Sequence, residues 1–176
     1  MVTLRAITED NFDAIIAMKR PEGEDFVAPN SVSLAQCWLY RNNGDVFPCA
    51  IYAEETPVGF LLMEEDERTL MIWRIMLPEE YTGHGYGRAA VEEVIRRAKA
   101  SGKYDLITAN IVANAILHLA PAVPALLAEN GTFIASGIID TRRDEVADGL
   151  RAAGLEVVEI REENGWECIL CRHPRA

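Results

Sequence analysis

Apolar and polar positions alternate over residues 2–7, which predicts a first strand. Thr8-Glu9-Asp10-Asn11 then offers capping side chains for a helix through Ala14, Ile15, Ile16 and Met18. The acidic segment Pro21-Glu22-Gly23-Glu24-Asp25 breaks that helix. A second helix is expected over 34–40, capped by Ser31 or Ser33, with Asn43-Gly44-Asp45 as the following turn. Residues 47–53 and 57–64 read as two strands joined by a Glu54-Glu55-Thr56 hairpin turn. Glu65-Asp66-Glu67-Arg68 turns the chain into an apolar run of strand length at 70–77. Pro78 ends that run, because proline has no amide for a sheet ladder.

Gly83, Gly85 and Gly87 come next, alternating with His84 and Tyr86. Ala89, Ala90, Val91, Val94, Ile95 and Ala98 then recur at spacings of three and four, with Arg and Lys in the last turn, as in an amphipathic helix. Strand, glycine loop and helix in this order aim free backbone amides and a helix dipole at an anion such as a pyrophosphate. A tight glycine turn without a ligand has the same local pattern. Further on come a strand at 104–110, a helix over 113–128 interrupted at Pro121 and Pro124, and a strand at 131–139. A helix over 142–153 stops at Gly154, and 156–161 and 166–172 form a hairpin about Asn164-Gly165. The fold class is mixed α/β: one central sheet flanked by helices, antiparallel at first and then parallel.

With 176 residues, 49% of them hydrophobic, the chain can build a substantial core as one domain or two small ones. A formal charge of -11 argues against a nucleic-acid partner and suits a cationic substrate, although a solvated acidic surface gives the same sum. Charges or prolines interrupt every apolar run before it reaches membrane-spanning length. Met1-Val2-Thr3-Leu4-Arg5 enters a strand pattern directly, so a cytoplasmic protein is expected. Cys168 and Cys171 have CxxC spacing but fall in a predicted strand, where positions i and i+3 face opposite ways. With Cys37 and Cys49 they read as free thiols, and no metal is expected.

The segment Thr82 to Gly87 is neither a dinucleotide fingerprint nor a Walker loop. It resembles motif A of the GNAT acetyltransferases, Gln/Arg-x-x-Gly-x-Gly/Ala, with Thr82 where that family usually has Gln or Arg. Phe26-Val27-Ala28-Pro29-Asn30, Cys49-Ala50-Ile51-Tyr52, Val58-Gly59-Phe60 and Ile72-Trp73-Arg74-Ile75-Met76 extend the likeness to the BltD-type spermine/spermidine acetyltransferases. It covers residues 2 to about 100. The resemblance implies acetyl-CoA held by Leu77, Thr82, Gly83, His84, Gly85, Tyr86, Gly87 and Arg88. It also implies a small-molecule amine of polyamine type as acceptor, and it allows a homodimer. Glu79 or Glu80 is the candidate base, although two solvated glutamates read equally well. Glu24, Trp73 and Arg74 are candidate substrate residues, against a solvated acidic loop and core packing with a paired arginine.

Past residue 100 the acetyltransferase pattern stops. Tyr104-Asp105-Leu106-Ile107-Thr108-Ala109-Asn110-Ile111, Leu119-Ala120-Pro121, the run from Asn130 to Ile138 and Ala153-Gly154-Leu155 are similar to the carboxyl-terminal part of the PrmA ribosomal-protein methyltransferases. That resemblance places Asn110 beside an S-adenosylmethionine site, yet the family's own glycine loop and acidic ribose ligand have no counterpart here. The tyrosine that serves acetyltransferases as general acid is replaced by Leu117 or His118, and His118 reads as a packed histidine or an acid. The sequence therefore reads as a hybrid of a GNAT-like segment (1–101) and a methyltransferase-like segment (102–176), expected to merge into one domain. An acetyl-CoA-dependent N-acetyltransferase scaffold is the leading expectation. A hybrid that binds coenzyme A, or nothing, without catalysis is the alternative, and a methyltransferase fragment is the weaker one.

Overall fold

The computed structural model describes residues 1–19, 28–101 and 103–175. Eight strands form one sheet in the order β1-β2-β3-β4-β5-β6-β8-β7. They are β1 (Val2–Ala6), β2 (Val46–Ala53), β3 (Thr56–Glu65), β4 (Thr69–Met76), β5 (Tyr104–Asn110), β6 (Leu127–Ile139), β7 (Glu156–Glu163) and β8 (Trp166–Arg172). Among the first four, each strand runs antiparallel to the next. β4, β5 and β6 are parallel, and β6 and the β7–β8 hairpin restore the antiparallel sense. Asn164 and Gly165 both take positive φ in that hairpin turn, as a two-residue turn between right-twisted strands requires.

The helices are α1 (Glu9–Ala17), α2 (Asn30–Tyr40), α3 (Tyr86–Ser101), α4 (Ala113–Leu119), α5 (Val123–Leu126) and α6 (Arg143–Ala152). Helices α3 to α6 cover one face, where Val91, Val94, Ile107, Ile116, Phe133, Leu150 and Ile169 form the main core. On the other face α1 and α2 enclose a smaller cluster of Ile15, Ala50, Phe60 and Leu62. Among the described residues that second layer covers only the antiparallel strands, leaving Leu106, Ile134 and Leu170 half-buried. Flanking helices are present on both faces, but unequally.

Several boundaries differ from the sequence expectation. Helix α2 begins at Asn30, not at residue 34, because the buried Asn30 amide donates to Ile15 O at 2.8 Å and ties α2 to α1. Ser33 is no cap; it is buried in that helix and accepts a hydrogen bond from Arg74. The helix expected over 113–128 ends at Leu119 and continues as a 3-10 turn and the four-residue α5, each with a proline at its start, where a missing amide costs nothing. Strand β6 starts at Leu127 rather than Gly131. Leu127 pairs with Tyr104, and the register then jumps to pair Thr132 with Leu106.

The seam between the two segments is a strand pair. Residues Thr69 to Ile72 of β4 match Leu106 to Ala109 of β5, joined by the α3 crossover. Beyond Ile72, β4 pairs with β3 only, so β4 and β5 part at their carboxyl ends.

Candidate functional site

The gap between β4 and β5 is the organising feature. Trp73 is an extra residue in β4, since Ile72 pairs with Met63 and Arg74 with Leu62. This bulge kinks β4 next to the gap. Two cavities meet there, sharing Ile75, Ile111 and Val112 in their walls.

The smaller cavity, about 470 Å³, lies against the glycine loop and is lined by Leu77, Thr82, Gly83, Gly85, Tyr86, Gly87 and Arg88. Gly83 and Gly85 have φ of +75° and +80°, a conformation glycine adopts without strain. A Cβ on either would meet open space, so backbone geometry rather than crowding selects glycine there. Ala89 N donates to Gly85 O at 3.0 Å, which makes Gly85 the residue before the first helical turn. The amides of Tyr86, Gly87 and Arg88 thus belong to the turn whose N–H groups have no carbonyl partner within the helix. With the dipole of the 16-residue α3 behind them they can hold an anion.

His84 is exposed and does not line this cavity. It stacks on Tyr86 at 5.5 Å between centroids, and its Nδ1 lies 2.8 Å from Thr82 O. Across the cavity from α4 comes His118, half-buried, with Nε2 3.1 Å from Glu92 Oε1. Arg88 Nε approaches the same oxygen at 3.2 Å, so Glu92 orients a histidine and an arginine at once.

The larger cavity, about 670 Å³, opens at the carboxyl ends of β5 and β6. Its walls include Arg74, Asn110, Ser136 and Gly137, and from the hairpin Arg161, Glu162, Glu163, Trp166 and Glu167. Arg74 donates to Ser33 and Gln36 on α2, and burial pulls its guanidinium below its ordinary range. Arg74 is thus paired, and both of these partners are neutral. Trp73 packs toward α2, its ring 6.2 Å from that of Tyr40. Glu79 and Glu80 form an exposed 3-10 turn before the glycine loop and line neither cavity. Glu24 lies outside the described residues.

Sequence reasoning missed Ser136, Glu167 and the orienting role of Glu92. They reach the site through the β5–β6 and β6–β8 pairings and the packing of α4 on α3, which no local pattern announces. The thiols fall as expected. Cys168 and Cys171 are free and face opposite ways, and burial pushes Cys171 up to about 12. No cluster of metal-binding side chains occurs among the described residues. No helix there is long and apolar enough to cross a membrane.

A glycine loop thus opens a helix beside a parted strand pair in one mixed α/β sheet. The profile of the acetyltransferase (GNAT) family matches residues 12–120, and that of the ribosomal protein L11 methyltransferases (PrmA) matches residues 87–174. The chain belongs to the GNAT family over its amino-terminal part and to the PrmA family over its carboxyl-terminal part. The stretch matched by both, residues 87–120, holds α3 from its second residue, β5 and α4.

Among the relatives, the ribosomal protein L11 methyltransferase of Agathobacter rectalis is 43% identical over 72 residues, 41% of this chain and 22% of that protein. That of Thermoanaerobacter pseudethanolicus is 48% identical over 71 residues, 40% of this chain and 23% of that protein. The chain thus matches less than a quarter of their length. Among solved structures, the ribosomal-protein-S18-alanine N-acetyltransferase of Escherichia coli superposes with a TM-score of 0.54. It covers 97% of this chain and 92% of its own, at 12% identity. A spermidine N-acetyltransferase chimera built from the Vibrio cholerae enzyme gives 0.53 over 97% and 93%, also at 12% identity. At that identity the likeness is one of fold.

Proposed function

We propose that the protein is an acetyl-CoA-dependent N-acetyltransferase for a small cationic amine, polyamines being the class that the likeness of its amino half implies. The observation that carries this reading is the meeting of the two cavities at the β4–β5 gap: one is walled by an anion-receiving loop, the other by carboxylates. Acetyl-CoA, when bound, supplies the acetyl group as an activated thioester.

The loop cavity fits its diphosphate, because the amides at the start of α3 and Arg88 present donors and positive charge without a Cβ in the way. The open edge of β4 beyond Ile72 offers backbone groups for an extended chain lying in the gap. An amine in the larger cavity then approaches from the opposite side, with Ile75, Ile111 and Val112 excluding water between them. His118 lines the loop cavity with Nε2 turned to Glu92 Oε1, which leaves its other ring nitrogen, Nδ1, to give a proton to the departing thiolate. Glu79 and Glu80 are exposed outside the cavities, so as base they take the ammonium proton through water rather than by direct contact.

The test is calorimetric titration with acetyl-CoA, and with S-adenosylmethionine in parallel, and then acetylation of spermidine measured as thiol release. Binding of acetyl-CoA with turnover is the expected result. Binding of S-adenosylmethionine alone would replace this reading with a methyltransferase one centred on Asn110. Binding of acetyl-CoA without turnover of any amine would leave a coenzyme-holding hybrid.

A further inference from the structure

We infer that Glu167, contributed by the methyltransferase-like half, is the residue that receives the cationic group of the acceptor. Its side chain is 2% exposed and lines the larger cavity. Among the described residues, Oε2 has no hydrogen-bond partner. Oε1 there has only Arg143 Nη1 at 3.8 Å, too far for a hydrogen bond, and Arg143 is half-exposed and engaged with Asp144 at 2.9 Å. A carboxylate withdrawn from water and so weakly partnered is costly to the fold unless something else completes it.

Among the described residues, the neighbouring groups do not complete it. Arg161 forks onto Glu159 at 2.7 and 3.0 Å, and Arg74 donates to Ser33 and Gln36. Glu162 accepts the Gly165 amide at 2.7 Å and, with Glu163, adds negative charge to the same wall. The missing partner is a donor with positive charge entering from the cavity. A primary ammonium, with three N–H donors and a compact charge, meets that need. A volume of about 670 Å³ accommodates an extended polyamine behind it.

This inference deepens the acetyl-transfer reading and rests on it for the chemical step, but the binding test is independent of that step. The intact chain is titrated calorimetrically with spermidine, and separately with acetyl-CoA, as wild type, Glu167→Gln and Arg143→Gln. Glu167→Gln weakens spermidine binding by about tenfold, the usual worth of one charge-assisted contact. Arg143→Gln removes the competing cation and tightens spermidine by about threefold. Acetyl-CoA affinity stays within about twofold in both, because neither side chain touches the loop cavity.

Unchanged spermidine binding in Glu167→Gln, weaker binding in Arg143→Gln, or no spermidine binding to the wild type would each overturn the inference. If Glu167→Gln does not fold, the sign of the Arg143→Gln effect decides alone. Wild-type protein that binds spermidine in this manner but not acetyl-CoA would sink the acetyl-transfer reading and leave the ammonium site standing.

Discussion

Asn110, the last residue of β5, leaves no room for a side chain on Gly137 of β6: a Cβ there would lie 2.8 Å from Asn110 Oδ1 and 3.2 Å from the backbone of Ile111. Gly137 also has φ of +76°, so it is glycine for both space and conformation. Its neighbour Ser136 accepts the Ile111 amide at 3.1 Å, which fixes the floor of the larger cavity. Gly137→Ala is expected to cost about 2 kcal/mol in urea unfolding, combining left-handed strain with the clash. In an Asn110→Ala background the cost falls to about 1 kcal/mol, since the side-chain part of the clash is gone. Equal costs in both backgrounds would show that the contact contributes nothing.

The glycine loop separates conformation from space. Gly85→Val strains a backbone at φ +80° that meets no neighbour, whereas a Cβ on Gly87 stands 3.2 Å from Leu77 Cδ1 at an ordinary φ. Gly85→Val should abolish measurable acetyl-CoA binding while costing only about 1–2 kcal/mol of stability. Gly87→Ala should weaken binding by less than about tenfold, because a small shift of Leu77 relieves the contact. Calorimetry with circular dichroism as a folding control reads both.

His118 and Glu92 give a kinetic prediction. His118→Gln keeps a polar group of similar size but holds no transferable proton, so kcat should fall by about 10² with acetyl-CoA affinity unchanged. Glu92→Gln should lower kcat less, by about tenfold, as it only orients the ring. A fall in affinity without a fall in kcat would assign His118 to binding.

Cys171 predicts alkaline behaviour. Its folded thiol is pushed up to about 12 by burial, from an ordinary value of 9.0. A group whose folded pKa is raised stabilises the fold fully below 9.0 and loses that contribution as pH rises towards about 12. Between about pH 8 and pH 10.5 the wild type should lose on the order of 1 kcal/mol more stability than Cys171→Ala, measured by urea unfolding. Equal losses would mean that the buried thiol ionises freely.

The β4–β5 seam predicts one cooperative transition. Ile107, fully buried in the main core, sits in the parallel ladder that joins the two segments. Ile107→Ala should cost about 3 kcal/mol and lower a single unfolding transition seen alike by tryptophan fluorescence and far-ultraviolet circular dichroism. Two separated transitions would show instead that the segments fold as independent units.

Local chemistry was enough to place most elements. Alternation marks β2 and β3, Pro78 ends the central strand, and three- and four-residue spacing marks α3. Asn164-Gly165 supplies the positive φ values that a tight hairpin needs, and each of these effects acts within a few residues. The glycine loop was legible for the same reason, as were the two family likenesses on either side of residue 100. What the chain order hides is where strands stop pairing. The parting of β4 from β5 after Ile72, the bulge at Trp73 and the arrival of Glu167 opposite Ile138 depend on register between segments far apart in sequence. Only the assembled sheet turns Arg74, Asn110, Ser136 and Glu167 into one wall, because a cavity is what several elements fail to fill together.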